Sequence, residues 1–139
     1  MITLSVVYFT GLNFVRQTDS VTPTGVIENY NGNEGNSGSE TMKFKKGKRE
    51  MLTIIHTHIL SLSFIFFMLG ILVWGTDQST NLKLFLTVEP FISVLLTFGS
   101  IYMLWLGYSI FSYVVIFSGI LMTLSYVAGV YIVSKDLFK

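Results

Sequence analysis

Between Met51 and Ser134 the chain carries only three acidic or basic side chains, Asp77, Lys83 and Glu89. A soluble domain carries about 25% charged residues, against 12% over this whole chain. Hydrophobic residues make up 51% and mean hydropathy is +0.62. The solvent for this stretch is lipid. In hydrocarbon every backbone N–H and C=O must be paired within its own segment or around a closed barrel. Barrel strands are about ten residues long and alternate in polarity, whereas these runs are longer and continuously apolar. The sequence therefore predicts an all-α transmembrane helix bundle.

A spanning helix needs about 20 mostly apolar residues at a rise of about 1.5 Å each. Three stretches meet that requirement, residues 52–74, 84–106 and 109–133, within a bundle running from 51 to 139. The polar connection "GTDQSTNLK" offers Ser79, Thr80 or Asn81 as a helix cap. The uncharged "GYS" at 107–109 is so short that the last two spans must form an antiparallel hairpin. Trp74, Trp105 and Tyr108 fall at span ends, where aromatic rings with a polar tip favour the interface. Residues 1–15 are also apolar, which is short for a span, and they lack the basic region and cleavage site of a secretory signal. They are expected to form a fourth, N-terminal span, either truncated with its true start upstream or short and tilted.

Residues 16–50 form a polar juxtamembrane segment. Thr22 followed by Pro23 can open a brief helix. The Gly-, Asn- and Ser-rich stretch 31–40 reads as a flexible linker. It leads into "KFKKGKRE", whose cations Lys43, Lys45, Lys46, Lys48 and Arg49 abut the first long span. Such clusters attract anionic lipid headgroups at about 1 kcal/mol per cation. A short basic patch on a membrane anchor points to lipid rather than nucleic acid. Positive-inside counting puts the basic run in the cytoplasm, but a truncated first helix with a cytoplasmic start inverts that orientation.

Three side chains are candidates for a cofactor or proton site: His56, His58 and Glu89. Residues two apart on a helix differ by about 200°, so the two imidazoles point to nearly opposite sides and cannot chelate one metal ion. Bis-histidine haem ligation would need a second copy or a partner. A plainer role for both is hydrogen bonding near the headgroups. Glu89 precedes Pro90, which removes one helical hydrogen bond and is expected to kink the helix or start it afresh. An intramembrane carboxyl group faces the bundle interior or a watery cavity. Glu89 can make a proton or ligand site with a histidine, or serve as an acid near a helix start. Glu89, Ser93, Thr97 and Ser100 share one helix face. His56, Ser63 and Gly70 recur every seven residues, with Thr53 nearby. Ser118, Ser125 and Gly129 make a third stripe, and Gly119–Thr123 matches the same small-residue spacing. These faces are expected to meet in the bundle centre.

The chain has no cysteine, which excludes thiolate metal sites and cysteine nucleophiles. Nucleotide-binding glycine loops, G-x-S-x-G and His-Glu-x-x-His are missing from the sequence. At "GVIENYNGNE" and "MKFKKGKREMLTIIHTHILSLSFIFF" the chain resembles a family of small uncharacterised bacterial membrane proteins. Tyr30 and Gly32 match its Tyr-x-Gly element, and His56 and His58 its His-x-His at the head of a three-helix bundle. The resemblance implies a Bacteroidetes-like inner-membrane protein with one further span before the polar segment, and supplies no catalytic residue. The expected role is a non-enzymatic accessory or assembly subunit of an envelope or respiratory complex. Its partners would be the bilayer and other membrane subunits, or further copies of the chain. The alternatives are a haem- or metal-binding redox protein using His56 or His58, and a proton-coupled transport component using Glu89.

Overall fold

The computed structural model describes residues 2–18, 20–34 and 42–137. Among the described residues five helices follow one another: α1 (Ile2–Gln17), α2 (Pro23–Asn31), α3 (Lys48–Trp74), α4 (Thr80–Trp105) and α5 (Phe111–Leu137). The last three are long and apolar enough to cross a membrane. At 1.5 Å per residue each is about 40 Å long, so its ends reach beyond a hydrocarbon core of about 30 Å.

The helices extend past the apolar stretches that announce them. α3 starts at Lys48 rather than 52, α4 at Thr80 rather than 84, and α5 runs to Leu137 rather than 133. Helical hydrogen bonding does not stop where apolar composition stops. Ser79 is the N-cap of α4 by backbone position, without a side-chain cap bond. Lys83, in the opening turns of α4, donates from Nζ to the Trp74 carbonyl at 3.2 Å, satisfying an orphan acceptor at the end of α3. α4 is continuous through Pro90, so Leu84–Glu89 is not a separate turn.

Specific contacts fix the up-and-down topology. Trp74 Nε1 donates to Thr87 Oγ1 at 3.1 Å, joining the end of α3 to the start of α4. Thr97 Oγ1 and Ser118 Oγ lie 2.7 Å apart across α4 and α5. The turn between α4 and α5 passes through Gly107 at φ +113°, a conformation that favours glycine. Leu69 of α3 packs directly onto Gly129 of α5. α1 docks beside them: Tyr8 Oη donates to Thr123 Oγ1 at 3.0 Å, and Tyr126 Oη to Ser5 Oγ at 3.2 Å. Later residues of α1 thus meet earlier residues of α5. The two run antiparallel, and α1 is a fourth helix of the bundle.

One end of the bundle carries a polar cap. Thr22 Oγ1 accepts from Gly25 N at 3.1 Å with Pro23 in the first turn, so α2 begins with a side-chain cap. After α2 the chain turns at Gly32, φ +80°, and residues 42–47 come back alongside it. Asn33 N donates to Lys43 O at 2.9 Å and Lys46 N to Tyr30 O at 3.1 Å. Lys43 N donates to Asn33 Oδ1 at 2.7 Å. A Cβ on Gly32 would lie 2.7 Å from Lys43 O and 2.8 Å from Lys45 N. The Tyr-x-Gly element and the basic run are therefore two sides of one backbone crossing. The expectation of a flexible linker over 31–40 is corrected where it is described: Asn31 ends α2, and Gly32 and Asn33 are held by backbone pairing. Residues 35–41 lie outside the described residues.

Candidate functional site

Glu89 is the ninth residue after the start of α4, about 14 Å along the helix axis at 1.5 Å per residue. Only 8% of its surface is exposed. Ser93 Oγ, one turn on, donates to Oε1. Oε2 is buried and has no hydrogen-bond partner among the described residues. The carboxyl group lies within electrostatic reach of the Tyr8 hydroxyl of α1. The rest of its helix face is buried as well. Thr97 Oγ1 donates to Ser93 O at 2.8 Å and meets Ser118 Oγ; Ser100 and Ser125 are buried with them. Hydroxyls are tolerated here because each can bond a carbonyl one turn back. Ser118 does so to Val114 at 2.7 Å.

The stripes on α3 and α5 divide. Gly70 is buried against Thr87, and Gly129 is so close to Leu69 that a Cβ would sit 3.0 Å from Cδ2. Gly119 has nothing within 4 Å of an added Cβ, so its small size serves no helix contact among the described residues. Ser63 is half-buried, while His56 and Thr53 are exposed. The heptad drawn through His56, Ser63 and Gly70 therefore leaves the interior toward the head of α3. A strict seven-residue repeat drifts around a helix of 3.6 residues per turn by about 20° per heptad, and the head of α3 projects towards the cap.

Both imidazoles are exposed. The His58 ring lies 5.3 Å from the Phe98 ring, and Nδ1 is 2.7 Å from the Ile54 carbonyl of its own helix. Phe98 sits nine residues beyond Glu89 on α4, about 14 Å along the axis. The structure thus separates Glu89 from the histidines, and the expected Glu–His pair is not formed. His56 shares an open groove on α3 with Lys48, Arg49, Leu52, Thr53 and Thr57. The five cations also divide. Lys43 Nζ donates to Thr18 O at 3.3 Å, Lys46 Nζ pairs with Glu50 at 2.8 Å, and Lys45 Nζ lies 5.2 Å above the Trp105 ring. Lys48 and Arg49 are exposed on the first turn of α3.

A family of transmembrane helical domains matches residues 20–139. The chain belongs to that family. The matched transmembrane helical domain takes in α2, the returning basic segment and the three long helices, so the cap is part of the domain. α1 precedes it. No curated protein and no solved structure matches the chain.

Two clusters in and beside this domain escape reasoning from sequence. Tyr8 stacks on Tyr126 with ring centroids 3.9 Å apart and planes 6° from parallel, and Phe66 meets both edge-on at about 6 Å. This clamp holds α1 to α3 and α5. At the cap, Asn31 Nδ2 donates to the Leu104 carbonyl at 2.7 Å and Trp105 Nε1 to Lys46 O at 2.8 Å. Both tie the last turn of α4 to the cap. The signal available was Trp105 itself at a span end, though an interfacial ring does not name its partner.

Proposed function

We propose that this integral membrane protein is a non-enzymatic accessory or assembly subunit of a larger envelope or respiratory complex in a bacterial inner membrane. The observation that carries this reading is His56. It projects from the outer surface of α3 beside Lys48, Arg49 and Thr57, eight residues or about 12 Å into the helix, and finds no hydrogen-bond partner among the described residues. Polar side chains on membrane helices are costly unless they meet water, a headgroup or another polypeptide. A partner helix laid along this stripe would satisfy the imidazole and cover the apolar surface below it, where Leu60, Phe64 and Phe67 are more than half exposed.

The test is photo-crosslinking in cells from a probe amino acid at position 56, followed by purification in mild detergent. A defined protein adduct, together with a stoichiometric partner lost on His56→Ala, is expected. Adducts to lipid alone, with wild-type protein purifying by itself, would count against the subunit reading.

A further inference from the structure

Within the long helices one buried side-chain oxygen has no partner among the described residues, the second oxygen of Glu89. Ser93 satisfies Oε1, but Oε2 is buried with no partner among the described residues. A carboxyl group in hydrocarbon must be neutralised, by a cation or by a proton. The titratable group that faces it from α1 is Tyr8, which itself stacks on Tyr126 of α5. Neither is a cation. From α3, Phe66 meets that stack edge-on and Gly70 packs on Thr87 of α4. Among the described residues no Lys, Arg or His is buried anywhere in the chain, and the two histidines belong to the other end of the bundle. Two surface hollows, one on α3 around Lys48 and one between α1 and α5 around Ile2, are lined by other residues.

We propose that Glu89 is a reversible proton-binding site in the interior of the bundle. The proton adds to Oε2 and gives the neutral acid, while Ser93 continues to donate to Oε1; no other bond forms or breaks. The two oxygens are thereby distinguished, Oε1 as carbonyl and Oε2 as hydroxyl. Exchange with water runs along the hydroxyl face of α4. From Glu89 the buried hydroxyls of Ser93 and Thr97 lie successively nearer the capped end along α4, and Thr97 meets Ser118 Oγ of α5. A proton hopping along a face lined with Ser and Thr needs only hydroxyl rotations and a few entering waters. Pro90 helps to keep the site open, because it has no N–H to donate to Leu86 O and so loosens the backbone there.

The experiment is difference infrared spectroscopy of the full chain reconstituted in lipid. Glu89 is the one buried carboxyl group among the described residues, so a carboxylic acid C=O band that disappears in Glu89→Gln reports it. We expect a band that is lost in Glu89→Gln, shifts on transfer to D2O, and falls reversibly as the pH is raised. Ser93→Ala keeps the acid but removes the donor to its carbonyl oxygen, so the band should persist at higher frequency. This second variant keeps the test decisive if Glu89→Gln folds poorly. Absence of the band at neutral and mildly acidic pH would overturn the proposal. So would a band indifferent to both alkali and D2O, which would mark a permanently protonated structural acid.

Discussion

Gly32→Ala tests whether the cap is held by one backbone crossing. Gly32 adopts φ +80° and ψ 174°, a region that is essentially restricted to glycine and costs other residues about 1–3 kcal/mol. The new methyl group would also lie 2.7 Å from Lys43 O and 2.8 Å from Lys45 N, contacts with backbone rather than with a side chain that can swing away. The returning segment must shift, which endangers the bonds from Asn33 N and Lys46 N at about 1 kcal/mol each. Together these reach about 3 kcal/mol or more. The loss falls on the cap, since the long helices keep their own hydrogen bonds. At about 1.4 kcal/mol per tenfold change, the open cap becomes roughly a hundredfold more populated. Tryptic cleavage after Lys45 and Lys46 in mild detergent measures that population when opening is fast relative to cutting. A hundredfold faster cleavage with little change in the melting of the bundle is expected. Cleavage of Gly32→Ala at the wild-type rate would refute the claim that glycine is required by this crossing.

Other perturbations probe separate joints. Trp105→Phe removes the bond to Lys46 O and should open the cap by about 1 kcal/mol, read by the same proteolysis. Tyr8→Phe keeps the stack on Tyr126 and should lower bundle stability by under about 1 kcal/mol, whereas Tyr8→Ala destroys the clamp and should release α1, detected as new protease sensitivity within residues 2–17. Gly129→Leu drives a side chain into Leu69 and should cost about 1–3 kcal/mol of thermal stability; Gly119→Ala enters open space and should be neutral, so equal effects at the two glycines would contradict the packing. Burial pushes the Tyr30 phenol above its ordinary range. The folded cap therefore holds that proton more tightly than the unfolded chain does. Its contribution is intact below the ordinary value of about 10 and declines as pH rises beyond it, a loss that Tyr30→Phe should abolish in cap proteolysis between neutral and alkaline pH.

How much of the site was legible depended on whether one helix sufficed to define it. The spacing of Glu89, Ser93, Thr97 and Ser100 is a property of a single helix, and all four are buried. The heptad through His56 failed because its fate depends on whether a neighbour covers the head of α3, and spacing along one helix carries no information about neighbours. The linker reading misses the first residues of its stretch, Asn31 to Asn33, for a related reason. Gly and Asn at 32 and 33 look flexible by composition, yet here glycine permits a close crossing and asparagine supplies two of its hydrogen bonds.

What the sequence by itself determined is the solvent and the class of fold: with three charges from Met51 to Ser134, only lipid can surround that surface, and lipid leaves the backbone little choice but helix. Tertiary structure alone decided which polar groups share an environment. It turned Glu89 inward and both imidazoles outward, set Tyr8 on Tyr126 across more than a hundred residues, and folded the basic run onto Tyr30 and Trp105. Burial is a relation between helices, and a one-dimensional pattern fixes the face of each helix without fixing what that face meets.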